Sequence, residues 1–218
     1  HWATEPDQGF WDDELALRSS SLGAMVGGMT MWQPGGYYDF RYPANRDITR
    51  LVPIPNRPVL EGRAAMMELL PRETEDRDVD LAQLSLLWPF NVLRDDVELQ
   101  DQILAQVEGL VGDHGVKRYA GDPFMAGEDG QEAEWPMGLA WLAVVLAKMV
   151  YRELEAGRKP KELMSLLERA EGYLGQLNTL TSEDGRIPML YQGNQPSSVQ
   201  PYATAHGHKG FRISARLR

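Results

Sequence analysis

Four helix-period segments follow one another between residues 79 and 177, and they alternate in kind. Residues 79–88 are apolar on nearly every side. Residues 95–111 are apolar on one side only, through Leu99, Ile103, Val107 and Leu110, with Glu98, Gln102 and Gln106 opposite. Residues 134–155 are mostly apolar again, through Trp141, Leu142, Val145, Leu146 and Met149. Residues 161–177 return to a single stripe of Leu163, Leu166, Leu167, Ala170, Leu174 and Leu177. A helix apolar all round must be surrounded by protein, whereas a one-sided helix lies at the surface. The alternation therefore predicts an all-α fold of inner and outer helices, the pattern of an α/α toroid. A plain helical bundle satisfies the periodicity equally well. No repeat of about 20–50 residues is visible, which argues against a tandem solenoid.

Upstream, helical spacing covers residues 12–32, with Gly23, Gly27 and Gly28 implying close packing or close approach of a ligand. A second helix is expected over 59–70, stopped by Pro71, as the 79–88 segment is stopped by Pro89. Between them, residues 33–58 lack a sustained period and form a long loop, with room for a short strand pair at 37–41 and 51–54. Another glycine-rich, acidic loop spans 112–132. Residues 1–195 are expected to be one domain, and 196–218 an irregular tail ending in a basic string. The chain opens at His1 without an initiator methionine, so a fragment of a longer protein is expected.

Charge narrows the partners. With 22 basic and 32 acidic residues the formal net charge is −10, which argues against nucleic acid and anionic membrane surfaces. No run of about 18 apolar residues is present to span a bilayer. There is no cysteine, so disulfides and thiolate metal sites are excluded, and the expected compartment is the cytoplasm. His114, His206 and His208 have no acidic or cysteine partners at ligand spacing, so neither a metal nor another cofactor is expected.

Three loops concentrate aromatic and charged side chains. The first runs from Trp2 through Glu5 and Asp7 to Phe10 and Trp11, and leads into Arg18-Ser19-Ser20-Ser21-Leu22-Gly23. The second carries Lys117, Arg118, Tyr119, Asp122 and Phe124 and closes on Glu132, Glu134 and Trp135. The third runs from Asp184 to Tyr191. Saccharides suit such loops, because a pyranose stacks its apolar face on an aromatic ring and offers its hydroxyl rim to Arg, Asp and Glu. The plainer alternative is that the rings fill the core and the carboxylates cap helices, with Glu134 in the first turn of its helix.

The motifs add a specific resemblance. Trp2 to Gly23 is similar to the "W-E … S-S-(I/L)-G" block of glycoside hydrolase family 15, the glucoamylase and phosphorylase-kinase-regulatory-subunit type. Leu69-Leu70-Pro71-Arg72-Glu73-Thr74 and Val79-Asp80-Leu81-Ala82-Gln83-Leu84-Ser85-Leu86-Leu87-Trp88-Pro89 resemble its "LLPRES … EVDLAQLSLIYP" stretch. Gly115 to Asp122 resembles "G(V/L)RRYPGD", Glu134 to Gly138 the block closing that loop, and Ile187 to Tyr191 "(L/I)PE(L/Q)Y". The order matches over about residues 1–195, and would cover roughly the second half of a six-hairpin toroid.

The resemblance implies an inverting hydrolase of α-linked glucosides, with an α-glucan or a glucose disaccharide such as trehalose as substrate. Such an enzyme needs two carboxyls about 6.5–9.5 Å apart, one as acid and one to activate water. Glu5 is the nearest candidate for the acid, since Ala3 stands directly after Trp2. Arg118 and Asp122 would hold hydroxyls, and Trp2, Tyr119, Glu134, Trp135 and Tyr191 complete the implied binding set. Met189 stands where the family has its base glutamate, and methionine deprotonates water at no pH. The alternative is therefore a non-catalytic glycan-binding or regulatory domain. Half a toroid would also expose inner helix faces, so a partner chain or the other half of the ring is expected to cover them.

Overall fold

The structure, a computed structural model, describes residues 2–31, 55–128 and 130–197. The strand pair expected at 37–41 and 51–54, and His206 and His208 of the tail, lie outside the described residues. Among those described are six α-helices, three 3-10 turns and three two-residue strands, so the helical character predicted from periodicity is present. None of these helices is long and apolar enough to cross a membrane. The chain divides into two compact units, His1–Leu104 and Ala105–Arg218.

In the first unit, the helix expected from residue 12 begins later, as α1 at Ser19–Met31. Residues 7–16 instead close on themselves, the Asp7 and Ala16 backbones exchanging two hydrogen bonds of 3.0 Å. Of the two explanations open for the α1 glycines, Gly23 supports close packing: a Cβ there would lie 2.1 Å from Leu86 Cδ2. Helix α2 spans Asn56–Leu69, with Leu70 extended, as a residue before proline must be. The segment expected as one helix over 79–88 is shorter: a 3-10 turn, Leu81–Gln83, then α3, Leu84–Leu87. Asp80 sets that start through a capping box, its carboxylate accepting from Ala82 N and its own N–H donating to Gln83 Oε1. Residues 81–87 are all buried, in keeping with their continuous apolar character.

Helix α4, Val97–Glu108, contains the division between the units. Its inward stripe holds at Ile103, Val107 and Leu110, which are buried, while Leu99 is half-buried. In the second unit α5, Pro136–Glu155, packs on α6, Met164–Thr179. Pro136 occupies the first turn of α5, where the missing N–H costs nothing. Three side chains depart from the expected pattern: Leu174 is exposed, and α5 leaves Tyr151 and Leu154 exposed beyond its buried Leu139, Leu142 and Leu146. Each helix of this pair thus buries one face. Arg169 and the Tyr173 hydroxyl of α6 both donate to the Glu108 carboxylate, tying α6 to the end of α4.

A small antiparallel sheet completes the second unit: β1 (Ala133–Glu134), β2 (Tyr191–Gln192) and β3 (Gln195–Pro196), in that order. Glu134 therefore lies in β1, opposite Tyr191, and not in the first turn of α5. The extended backbone at Trp135, paired to Val116 by two hydrogen bonds, holds Glu134 out of the helix.

Candidate functional site

The sheet brings the second and third aromatic–acidic loops together. Val116 and Trp135 pair their backbones, and β1 pairs with β2, so residues 111–135 are braced against residues 190–197. Gly115 lets the two strands approach: a Cβ on it would lie 2.5 Å from the Trp135 backbone carbon. Beneath the strands, Ala133, Trp135 and Leu190 form a small buried cluster with Met125 packed against it.

Arg118, Tyr119, Asp122, Glu134, Trp135 and Tyr191 all belong to this assembly. Arg118 Nε and Nη2 donate to Asp122 Oδ2 and Oδ1 at 2.6 and 2.7 Å, and both residues are buried. This planar two-bond pairing is the strongest ion-pair geometry available to arginine. The Arg118 guanidinium carbon lies 4.6 Å from the Phe124 ring centroid and 5.5 Å from that of Tyr119. Phe124 stacks on Trp135 at 6.4 Å, and His114 stacks on Tyr191 at 4.5 Å. Glu134 accepts from the His114 backbone N–H at 2.6 Å, over Gly112, whose missing Cβ leaves room for the carboxylate. The Trp135 and Tyr191 rings are thus buried against protein rings, while Phe124, which the sequence reading left out of the binding set, is 47% exposed.

Alongside lies a cleft of about 640 Å³, lined by Lys117, Asp122, Gln131, Glu132, Glu134 and backbone near Gly121. Lys117 Nζ and the Gly121 N–H both donate to Glu132. Burial pushes the Glu132 carboxyl up, but the bond from Lys117 and the backbone donors at Gly121 and Asp122 outweigh it and hold it below the usual range. Glu132 is consequently ionised at neutral pH and supplies an acceptor, not a proton.

Trp2 and Glu5 lie in the first unit. Trp2 opens a 3-10 turn and seats its ring against α2, where a Cβ on Gly62 would come within 2.1 Å of it. Glu5 is exposed, and Ala3 is buried. Met189 is 45% exposed. Among the described residues, no group of three or more His, Cys, Asp and Glu side chains is placed to hold a metal ion.

The sequence reading missed a polar cluster in the first unit. The Glu73 carboxylate accepts from Ser19 Oγ (2.8 Å), Ser20 Oγ (2.5 Å) and Ser20 N–H (3.1 Å). Asp80 accepts from Trp11 Nε1 (2.7 Å), Arg77 Nη1 (2.7 Å) and Ala82 N–H (2.8 Å). Burial, then the neighbouring Asp80 charge, push Glu73 up to about 7 against the pull of its serine donors. Burial likewise raises Asp80, opposed by Trp11, Ala82 and Arg77. The signal that could have found the cluster is the pattern Asp80-Leu81-Ala82-Gln83 before an apolar run, which marks a capping box.

Compared with models of known protein families and with curated proteins, the chain gives no match to either.

Proposed function

We propose that this chain is the saccharide-binding part of a glycoside hydrolase-like protein acting on α-linked glucosides, built as about half of an α/α toroid. The observation that carries this reading is the strand-braced cleft of the second unit. Small-molecule pockets are usually lined mainly by hydrophobic side chains with a few polar groups, so a mainly polar lining suits a ligand rich in hydrogen-bonding groups. This cleft offers carboxylates, a glutamine amide, an ammonium and peptide groups, with the exposed Phe124 ring on the same loop. With Asp122 paired to Arg118 and Glu132 to Lys117, the lining keeps the net negative charge of Glu134, which favours a neutral polyhydroxyl ligand over a phosphorylated one because like charges repel at short range. Maltose and longer α-glucans fit that description, and Phe124 supplies a stacking face.

In this reading Glu5 is the general acid of the parent protein. Arg118 acts less as a direct hydroxyl ligand than as the brace that fixes Asp122 and Phe124. Calorimetric titration of the chain with maltose, maltoheptaose, trehalose and glucose 1-phosphate tests the binding claim. Binding of a neutral glucoside with weaker or no binding of the phosphate is expected, and Gln131→Ala is expected to weaken it several-fold. Absence of binding to all four sugars would refute the proposal. Release of glucose, lost in Glu5→Gln, is the corresponding test of the acid.

A second reading, glycan binding without turnover, is favoured by Met189: it is exposed in the loop where a base is needed and carries no titratable group. Binding without glucose release would select it.

A further inference from the structure

The first unit holds two buried carboxylates that the saccharide reading does not use. Glu73 and Asp80 are each 1% exposed. Glu73 takes its three side-chain hydrogen bonds from Ser19 and Ser20, the first residues of α1, and its carbonyl accepts from Ser19 N–H at 2.8 Å. Asp80 takes one from the indole of Trp11, in the segment just before α1. Two acidic groups thus hold one stretch of chain, residues 11–20, from 53 or more positions away.

Positive charge in the cluster is scarce. Arg77 pairs with Asp80 and also with Asp13, at 2.7 and 3.1 Å. Arg18, just ahead of the serines, donates instead to the Glu14 carbonyl. Asp7 of the same segment accepts from Ser21 Oγ, and Arg72 donates to the Glu75 carbonyl. Among the described residues, no ion pair brings a cation to Glu73 itself.

We propose that the Glu73–Asp80 pair is a proton-operated latch, closed on residues 11–20 when one proton is bound and loosened when that proton leaves. Two buried carboxylates, of which only Asp80 is paired with a guanidinium, cannot both be ionised without repulsion, and desolvation disfavours the charge on each. A protonated Glu73 keeps its place among the serines, since their hydroxyls rotate to accept as readily as to donate. Losing the proton leaves a second negative charge inside, and opening the segment to water relieves it.

The direction follows from linkage. The closed state holds its proton up to about pH 7, against an ordinary glutamate value of 4.5 when the segment is open. The latch is therefore tightest below pH 4.5. It loosens by up to about tenfold per pH unit as pH rises toward 7, then levels off.

Amide hydrogen exchange of the full chain between pH 4.5 and 8, corrected for intrinsic exchange, tests it without any sugar. Protection of residues 11–22 is expected to fall with rising pH while α5 keeps its own, and Glu73→Gln, neutral throughout, is expected to abolish that fall. Equal pH dependence in wild type and variant, or a loss spread evenly along the chain, would overturn the proposal. Should the variant fail to fold, titration of the Glu73 carboxyl carbon by NMR in the wild type decides. A midpoint near 7 supports the latch, and one below about 5 refutes it.

Discussion

In the second unit Asp122 is buried against a guanidinium of its own, with two short hydrogen bonds from Arg118 and the Phe124 ring beside it. In the first unit Glu73 and Asp80 are buried with hydroxyls, an indole, backbone N–H groups and the single guanidinium of Arg77, which also serves Asp13. The two arrangements hide carboxylates equally well and behave differently. A charge paired one-to-one is fixed in place and costs most when one partner is removed. Carboxylates that outnumber their cations exchange a proton with solvent as the pH changes, and so become sensitive to conditions.

The largest test of that contrast is Arg118→Ala. It strands Asp122 in the interior and is expected to cost about 3–5 kcal/mol, read from urea unfolding. The double replacement Arg118→Met with Asp122→Leu should recover much of this, because no buried charge is then left unpaired. A loss below about 1 kcal/mol in the single variant would mean that the pair is not what holds the 116–124 loop.

Next comes pH, where the two units should respond with opposite sign. The raised Glu73 contributes stability that is full below pH 4.5 and lost as pH climbs through about 7. The lowered Glu132 contributes stability present above pH 4.5 and lost as pH falls through its depressed value. Exchange protection followed at pH 3.5, 5 and 7.5 should therefore weaken first around residues 117–132 in acid and around residues 11–22 toward neutrality. The same order of weakening at both extremes would break the comparison.

Smaller effects separate rigid from yielding contacts. Gly115→Ala drives a Cβ to 2.5 Å from the Trp135 backbone, and is expected to cost about 2–3 kcal/mol because the strand pairing must shift. Gly62→Ala meets the edge of the Trp2 ring at 2.1 Å and Val26 Cγ2 at 3.0 Å, side chains and not backbone, and about 1–2 kcal/mol is expected, with a displaced Trp2 indole resonance. The smallest effect belongs to the Arg186–Asp184 pair. Arg186 holds the Asp184 carboxyl down at about 2, yet both side chains are largely open to solvent. Arg186→Ala should leave the unfolding midpoint unchanged, as is usual for ion pairs in water.

Residue type and spacing by themselves determined where most helices run and which faces they bury. Ile103, Val107, Leu110, Leu142, Leu146 and Leu177 all point inward as a 3.6-residue period requires, because burying an apolar stripe is a local property of the pattern. The stops at Pro71 and Pro89 follow just as directly, since proline constrains the residue before it. The candidate loops were legible for the same reason: aromatic and acidic side chains cluster in sequence, at residues 116–135 and 184–191, before they cluster in space. Tertiary structure alone decided what those side chains touch. Glu134 left its expected helix turn because Trp135 pairs with Val116 nineteen residues away. Arg118 and Asp122 satisfy each other, and Glu73 finds Ser19 and Ser20 across more than fifty residues. Periodicity reports how much of a helix meets water, but a hydrogen bond is directional and specific to one partner. Which partner arrives is set by the packing of the whole unit.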